Sequence, residues 1–452
     1  MADQARLTTG SIPRHLVTQT LPMLLGIAAV VSVGIVDAYY IGQLGPRQLA
    51  AVSFIFPVSL ALASLGVGVI AGISSVVARA LGRGEPQRAQ QLGNLGMLSA
   101  LAVGALVATT LYLVRLPLFR LMGADAELLA IVDAYVVPFA LGFPLLLANM
   151  GGNGVLRGQG AATRASIILV GVAIANWILD PILITGAGSF EGFGIAGAAY
   201  ATIGGWLLGL LLAILFVQRS NIRFDLTSIS GCDWASDLRS LARVAGPAAA
   251  SNAINPVGLS ILTALLAEHG DAAVAGFGAA GRLQSFAVVP MLAMSSSIGA
   301  IVGQNWGAEK YDRARHAFLA CAAFCIAYGL AVAAVLFAAR SWLAHLFSDD
   351  PAVTSAIETY IAIAAWGFSG FGILVVANGA LNAIDRAAVA SAQSALRVAA
   401  IMLPVAWILG DTLGAEGIYT AELVANLVGG LGAGAVALFV LRHAHEHAAT
   451  SL

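Results

Sequence analysis

The sequence predicts an all-α integral membrane protein of twelve transmembrane helices in two six-helix lobes. Three observations support this prediction: the composition, the pattern of apolar runs and an internal duplication. Of the 452 residues, 59% are hydrophobic and 10% charged, and the mean hydropathy is +0.89. Soluble chains are about 45–50% apolar and about 25% charged. The composition excludes a soluble enzyme, a nucleic-acid-binding protein and a disordered chain, and the net charge of -1 gives no reason to expect a nucleic-acid partner.

Long apolar runs separated by short polar breaks define the twelve predicted helices, called here spans one to twelve. A helix needs about 20 residues to cross a bilayer, and none of the runs shows the alternation typical of barrel strands. The spans are predicted at residues 14–41, 48–79, 89–114, 127–150, 161–184, 194–219, 238–266, 272–304, 312–339, 352–380, 388–409 and 416–441.

The basic residues predict the orientation of the spans. With both termini in the cytoplasm, the inside segments hold 16 of the 22 lysines and arginines, whereas the outside segments hold 4. Basic residues concentrate on the cytoplasmic side of membrane proteins. We therefore expect a multi-pass protein of the inner (cytoplasmic) membrane with both termini in the cytoplasm.

The chain aligns with itself when it is shifted by 225 residues, without a gap over about 145 residues. Matched positions include Pro22/Pro247, Gly45/Gly270, Gly82/Gly307, Tyr135/Tyr360 and Asn153/Asn378. The register then slips to 220, where Gly194 meets Gly414. Because six spans separate the copies, the halves share one topology and are related by an axis along the membrane normal, as in transporters built from parallel repeats. The predicted division is an N-terminal lobe at 1–218, a cytoplasmic linker at 219–237 and a C-terminal lobe with a short tail at 238–452.

Two carboxylates inside the spans are the candidate functional residues. Asp37 lies in span one and Asp180 in span five, both in the outer half. A carboxylate in a span costs roughly 2.5–3.5 kcal/mol on insertion scales and marks function by default. Asn176 precedes Asp180 by four residues and therefore shares its helix face. These residues predict one polar site that takes up a proton, or a sodium ion with help from Asn176; the alternative is that each acid caps or pairs at the outer rim.

The duplication separates these acids from the shared scaffold. At the shift of 225 their mates are Leu262 and Val405, so the acids occur in the first half alone. By contrast, Asp133 meets another acid, Glu358, and we expect this pair to be outer-rim structure.

Other polar groups in the spans leave alternatives open. Pro22 removes a backbone hydrogen bond in span one, and the resulting kink is either coupled to protonation of Asp37 or static. Arg397 and Glu422 are expected to form an ion pair, with a substrate contact as the alternative. The tail carries His443, His445 and His447, which could bind a metal, but we expect a frayed terminus and no metal site.

ATP is not expected to be the source of energy. The glycine-rich run GVGVIAG at 66–72 lacks the P-loop lysine and lies within a span, where small residues allow close helix packing. We therefore expect an ion gradient to supply the driving force.

Five motifs occur in order along the chain: VDAYYIGQLG (36–45), ARALGRG (78–84), GNGVLRGQG (152–160), GIAGAAYAT (194–202) and GQNWGA (303–308). Together with the twelve spans, they resemble the MATE family of multidrug and toxic compound extrusion antiporters over nearly the whole chain. Within the family, the pattern is most similar to the DinF branch. That resemblance implies ion-coupling acids in the N-terminal lobe, which Asp37 and Asp180 match, and a bend at Pro22 after protonation.

The resemblance also implies a substrate cavity near these acids. Asn176 and Asn153 match cavity partners of the acids, and Tyr135 matches a further cavity position. A threonine that completes a sodium site in some relatives falls at Ala198 here, with Thr202 one turn later. This departure favours protons over sodium.

The implied function is an antiporter, driven by protons or sodium, that exports amphipathic, often cationic, organic compounds or drugs by alternating access. The resemblance implies no enzyme activity and no cofactor besides the coupling ion, and we expect a monomer in the bilayer. A lipid-linked precursor flippase of the same superfamily is the alternative, although such proteins usually have additional helices and a strongly basic cavity. An intramembrane enzyme would need a nucleophile–base or metal pair within the spans.

Overall fold

The computed structural model of the protein describes residues 5–443, and within this range the chain forms fifteen α-helices. They are α1 (Ile12–Gln43), α2 (Pro46–Gly82), α3 (Pro86–Leu121), α4 (Ala126–Gly158), α5 (Ala162–Asp180), α6 (Ile195–Gln218), α7 (Trp234–Ala267), α8 (Asp271–Ala287), α9 (Val289–Gly307), α10 (Tyr311–Phe347), α11 (Pro351–Ala364), α12 (Phe368–Ala383), α13 (Ala387–Ala395), α14 (Leu403–Leu413) and α15 (Ala415–Arg442).

The fifteen helices form the twelve predicted spans, which confirms the fold class. Span eight is α8 and α9, which meet at an angle of 41°. Pro290 lies at the start of α9 and cannot donate a backbone hydrogen bond, which explains the bend. Span ten joins α11 to α12 through a 3₁₀ turn at Ala365–Gly367, and span eleven joins α13 to α14 through a π-helix at Leu396–Met402.

Helix starts follow local chemistry that repeats between the halves. Asp125 and Asp350 cap α4 and α11 by accepting hydrogen bonds from Leu128 N (2.7 Å) and Ala352 N (2.8 Å). Gly45 and Gly270, which are mates in the duplication, precede α2 and α8 with φ of +126° and +103°. Only glycine adopts such angles without strain, so the duplication preserves these turns.

The spans pack into two lobes, α1–α6 and α7–α15. In the first lobe α4 packs against α2, α3 and α6, and α1 packs along α5; in the second, α12 packs against α9, α10 and α15. The α6–α7 connection contains a 3₁₀ turn at Leu226–Gly231, and α7 begins at Trp234, inside the predicted linker. The exact lobe boundaries at 218 and 238 stay a prediction.

The lobes meet near one end of the bundle, called here the basic end, which carries the turns at 83–85, 159–161, 219–233, 308–310 and 384–386. A Cβ added at Gly82 of α2 would lie 2.2 Å from the Gln304 carbonyl oxygen of α9, and one at Gly307 would lie 2.2 Å from that of Arg79. Gly82 and Gly307 are mates in the duplication. Their missing side chains let the lobes touch backbone to backbone.

The N-terminal segment crosses this contact. Leu7, in a 3₁₀ turn at Arg6–Thr8, is 1% exposed; its N–H donates to Gln304 Oε1 (3.2 Å), and its carbonyl accepts from Asn305 Nδ2 (3.1 Å). Arg6 donates to the Gly160 carbonyl of the first lobe (2.5 Å). The segment therefore ties the two lobes together at the basic end.

The substitution Gly82→Ala should weaken the lobe contact, because the new methyl group would overlap backbone that cannot move aside. We expect a lower thermal unfolding midpoint in detergent, since overpacking costs about 1–3 kcal/mol. Gly246→Ala on α7 is the matched control: no atom lies within 4 Å of its added Cβ, and alanine favours a helix. Equal midpoints for the two variants would contradict the close contact.

Candidate functional site

The packing of α1 along α5 brings Asp37 and Asp180 together. A Cβ added at Gly26 of α1 would lie 2.9 Å from Ser166 Oγ of α5, and that hydroxyl donates to the Pro22 carbonyl. Both helices start at the basic end and run away from it. Asp37 and Asp180, which lie further along these helices, are therefore at a similar distance from the basic end. There the two carboxyl groups are neighbours, although no hydrogen bond of good geometry joins them.

The acids are poorly supplied with hydrogen-bond donors. Asp180 is fully buried, and neither of its carboxylate oxygens has a partner among the described residues. Asp37 is half-buried, and its Oδ1 is also without a partner. Asn176 donates to the Val172 carbonyl (3.1 Å), which leaves its Oδ1 unsatisfied. Such a group of acceptor oxygens can take a proton or a hard cation.

α6 and α4 complete the surroundings of the acids. Gly205 of α6 makes room for Asn176, because an added Cβ would lie 2.4 Å from Asn176 Nδ2. Tyr135 of α4 lies close to both acids and to Thr202 of α6. The Thr202 hydroxyl donates to the Ala198 carbonyl of its own helix (2.9 Å). The structure thus brings together the predicted residues Asp37, Asp180, Asn176, Tyr135 and Thr202.

The backbone changes form directly after Asp180. Residues Pro181–Thr185 form a π-helix, which extends span five beyond α5. Single π-turns within helices occur often at functional sites. On the side away from the basic end, the buried residues Ile41, Ile184 and Ala198 form an apolar cluster. Ile41 and Ile184 each lie four residues, or about 6 Å, beyond an acid on the same span.

Asn153 lies apart from the acids. Its Nδ2 donates to the Ala165 carbonyl (3.0 Å), and its Oδ1 accepts from Arg157 Nε (2.7 Å). Ala165 and Asp180 are 15 residues apart on one helix, which corresponds to about 22 Å. Arg157 also donates to Ser296 Oγ of the second lobe (3.2 Å). Asn153 therefore orients an arginine that bridges the lobes, a role that the sequence reading missed.

The predicted direct ion pair between Arg397 and Glu422 is wrong. Glu422 Oε1 accepts from Gln284 Nε2 (2.8 Å), and Oε2 accepts from the Tyr360 hydroxyl (3.0 Å). Arg397 instead donates to two asparagine side chains, Asn426 Oδ1 (2.6 Å) and Asn255 Oδ1. No salt bridge joins Arg397 and Glu422, because neutral partners satisfy each charge first.

The polar groups of the two lobes occupy related positions. Tyr135 and Tyr360 are mates at the shift of 225, and Thr202 and Glu422 are mates at the later shift of 220. Tyr135 contacts Thr202 within the first lobe, and Tyr360 contacts Glu422 within the second. Asp133, in turn, accepts from Arg115 Nε (2.6 Å) in a partly exposed ion pair. Of the tail histidines, His445 and His447 lie outside the described residues.

A two-lobe bundle of twelve spans, built from parallel repeats around buried polar groups, defines a membrane transporter. The MatE family model matches residues 22–182 and 247–408, and the chain belongs to this family of MATE transporters. This confirms the resemblance to the MATE family; members of the family are transporters, not enzymes.

Individual relatives extend the comparison over nearly the whole chain. The FAD transporter of Shewanella oneidensis is 34% identical over 437 residues, 95% of each chain. The multidrug export protein MepA of Staphylococcus saprophyticus is 23% identical over 417 residues, 92% of this chain and 91% of the relative. A crystal structure of an aspartate-to-asparagine mutant of the Vibrio cholerae MATE transporter VcmN superposes with a TM-score of 0.91 at 29% identity, covering 98% of each chain. The bent form of VcmN gives a TM-score of 0.89 with the same identity and coverage.

The substitution Asp180→Asn should stabilise the protein at pH 9 in sodium-free buffer, because it removes a buried charge that has no hydrogen-bond donor. Such a charge costs several kcal/mol, and each kcal/mol moves the unfolding midpoint by about 2–4 °C in a unit of 150–250 residues. Asp133→Asn is the matched control; it should leave the midpoint unchanged or lower it slightly, because it removes a partly exposed ion pair. A midpoint for Asp180→Asn at or below that of the unaltered protein would contradict the unpartnered buried carboxylate.

Proposed function

We propose that the protein exports organic compounds in exchange for an inward flow of protons, with ion binding at Asp37 and Asp180. The observation that carries this proposal is the pair of neighbouring carboxyl groups without hydrogen-bond donors in the middle of a transporter lobe. Protonation would remove the cost of the buried charge. Binding and release of a proton therefore change the free energy of the site by a large amount.

Protons are favoured over sodium by the surroundings of the acids. A sodium site needs about five or six oxygen ligands, as hard cations generally do. Asn176 Oδ1 and the carboxylates supply some of them, but Ala198, which replaces a threonine found in some relatives, has no side-chain oxygen. No cofactor other than the coupling ion is part of the proposal. The placement of the acids in the first lobe supports assignment to the DinF branch.

We propose two candidate substrate classes. The first is amphipathic, often cationic, organic compounds, as in a multidrug exporter. The second is flavin dinucleotides, and it is favoured by the 34% identity to a FAD transporter over 95% of both chains. Tyr135, Thr202 and Asn153 are proposed to contact substrate on its way through the first lobe.

Alternating access is proposed to use the contact at the basic end as its closed gate. The backbone contacts of Gly82 and Gly307 and the bond between Arg157 and Ser296 would have to separate before substrate could enter from that side. The basic end is proposed to face the cytoplasm, since it carries most of the arginines. Both termini would then lie in the cytoplasm. We also propose that the protein works as a monomer in the inner membrane.

Pro22 is the proposed conformational switch in α1. Its ring removes one backbone hydrogen bond, and its carbonyl accepts from Ser166 of α5. A change in bend at Pro22 would move the part of α1 that carries Asp37 relative to α5. A crystal structure of the relative VcmN, which is 29% identical, is described as the bent form.

Transport in proteoliposomes tests the coupling. Efflux of a cationic dye and of FAD should follow an imposed proton gradient and should not respond to a sodium gradient alone. Asp37→Asn and Asp180→Asn should each reduce gradient-driven transport about tenfold or more, because an amide cannot exchange a proton. Asp133→Asn serves as the matched control and should transport normally. Full activity of either site variant would refute the assignment of the coupling site.

The substitution Pro22→Ala restores a backbone donor in α1 and should stiffen the helix. We expect dye binding to stay within about twofold while the rate of transport falls about fivefold or more. Pro117→Ala in α3 is the control, because this proline also lies inside a helix but away from the acids. An unchanged rate for Pro22→Ala would show that the kink is static.

A further inference from the structure

We infer that Arg397 orients Asn255 as a hydrogen-bond donor toward the substrate path, and that this pair selects organic anions that carry a phosphate or carboxylate group. The inference rests on the proposed export of organic compounds and adds a specificity determinant in the second lobe. It concerns different residues from the ion-coupling acids.

Arg397 is held firmly in the interior of the second lobe. It lies in the π-helix of span eleven and is 2% exposed. Gly429 of α15 makes room for its aliphatic stem, since an added Cβ would lie 2.5 Å from Arg397 Cγ. Its guanidinium carbon lies 5.7 Å from the centre of the Phe371 ring. No described carboxylate forms a salt bridge with it, so its positive charge is not neutralised by direct contact.

The guanidinium fixes the orientation of the asparagine amides beside it. A guanidinium has donors and no acceptor, so Asn255 and Asn426 must each present their oxygen to Arg397, as the structure shows. The NH₂ group of each amide then points away from the cation. The donor of Asn426 is buried and without a partner.

Asn255 is the member of this group that an incoming molecule can reach. It is half-buried, and its NH₂ group is neither buried nor bonded to another described residue. Gly68 of α2 packs tightly against Ala245 and Ala249 of α7, and Asn255 lies six residues after Ala249, or about 9 Å, further from the basic end. It therefore lies beyond this lobe contact. Polar and charged side chains within a span face the protein interior or a water-filled cavity rather than lipid. The Asn255 amide, which contacts Arg397, is therefore expected to face such a space.

The chemistry of this pair fits an anionic oxygen. Arg397 polarises the Asn255 amide and strengthens it as a donor, and the positive charge behind the amide, which no described carboxylate contacts directly, attracts a negative ligand. Glu422 acts on Arg397 only through space, because its two oxygens accept hydrogen bonds from Gln284 and Tyr360 instead. A phosphate or carboxylate supplies acceptors of the required kind. An ammonium group supplies only donors and therefore cannot accept a hydrogen bond from the Asn255 amide.

Equilibrium binding to the detergent-solubilised full-length protein tests the inference. The probes are FMN and riboflavin, which share a ring system and a ribityl chain and differ by one phosphate, and flavin fluorescence reports binding. We expect FMN to bind about tenfold more tightly than riboflavin, a difference of about 1.4 kcal/mol. Asn255→Asp keeps an acceptor for Arg397 but replaces the donor by a carboxylate, so it should abolish the preference for FMN.

Two further variants make the result specific. Asn255→Ala also removes the donor but adds no charge, so it should reduce the preference even if the carboxylate of Asn255→Asp disturbs folding. Asn252→Asp, three residues earlier on α7, adds the same charge at an exposed position that bonds to the Ala248 carbonyl rather than to Arg397. This control should keep most of the preference. If Asn252→Asp and Asn255→Asp lost the preference for FMN equally, the loss would be explained by repulsion between any added carboxylate and the phosphate. That result would overturn the inference.

The design separates this inference from the proposed function, because binding is measured without an ion gradient. A protein that exports dye under a proton gradient but binds FMN and riboflavin equally would contradict the inference and leave the proposed function intact. A protein that prefers FMN, with the preference lost in both Asn255 variants, but exports nothing would contradict the proposed function instead.

Discussion

Two carboxyl groups lie side by side in the first lobe without hydrogen-bond donors. The cost of burying their charge is the constraint on which the rest of the site depends. Asp180 is fully buried, and Asp37 next to it is half-buried. Water normally compensates such charges, but the apolar cluster of Ile41, Ile184 and Ala198 lies on one side. Uptake of the proposed proton or cation would remove this cost. The close packing of α1, α5 and α6 through Gly26 and Gly205 maintains the arrangement.

The duplication explains why the two lobes are built alike and yet differ in chemistry. Tyr135 and Thr202 in one lobe correspond to Tyr360 and Glu422 in the other. In the second lobe the carboxylate of Glu422 accepts two hydrogen bonds. In the first lobe the acids lie on other helices and accept none from described residues. The same repeat position thus belongs to a satisfied hydrogen-bond network in the second lobe and borders an unsatisfied acid pair in the first. The proposed ion coupling and the proposed anion recognition therefore lie in different lobes.

Much of the fold and part of the site were predictable because membrane helices leave strong local signals. All twelve spans were predicted, since a run of apolar residues in lipid must satisfy its backbone within a single helix. Asp37, Asp180 and Asn176 were predicted as one site from their depth and from helix periodicity. The breaks within span ten and span eleven were not predicted, because the apolar runs continue through them. Asn153 was grouped with the acids, whereas its bond to Arg157 places it at the lobe contact.

The sequence by itself determined that the protein lies in a lipid bilayer, how many spans it has and that it consists of two repeats. It also identified Asp37 and Asp180 as acids without a counterpart in the second repeat. These properties follow from composition and spacing along one chain, where each residue acts through its local free energy in lipid. The tertiary structure alone decided which partners form hydrogen bonds with the buried charged groups. Arg397 and Glu422 have opposite charges and lie in neighbouring spans, but Asn255, Asn426, Gln284 and Tyr360 are closer to their polar atoms and satisfy them first. Hydrogen bonds depend on distances of a few ångströms between helices that are remote in sequence, and such distances exist only after the lobes have packed.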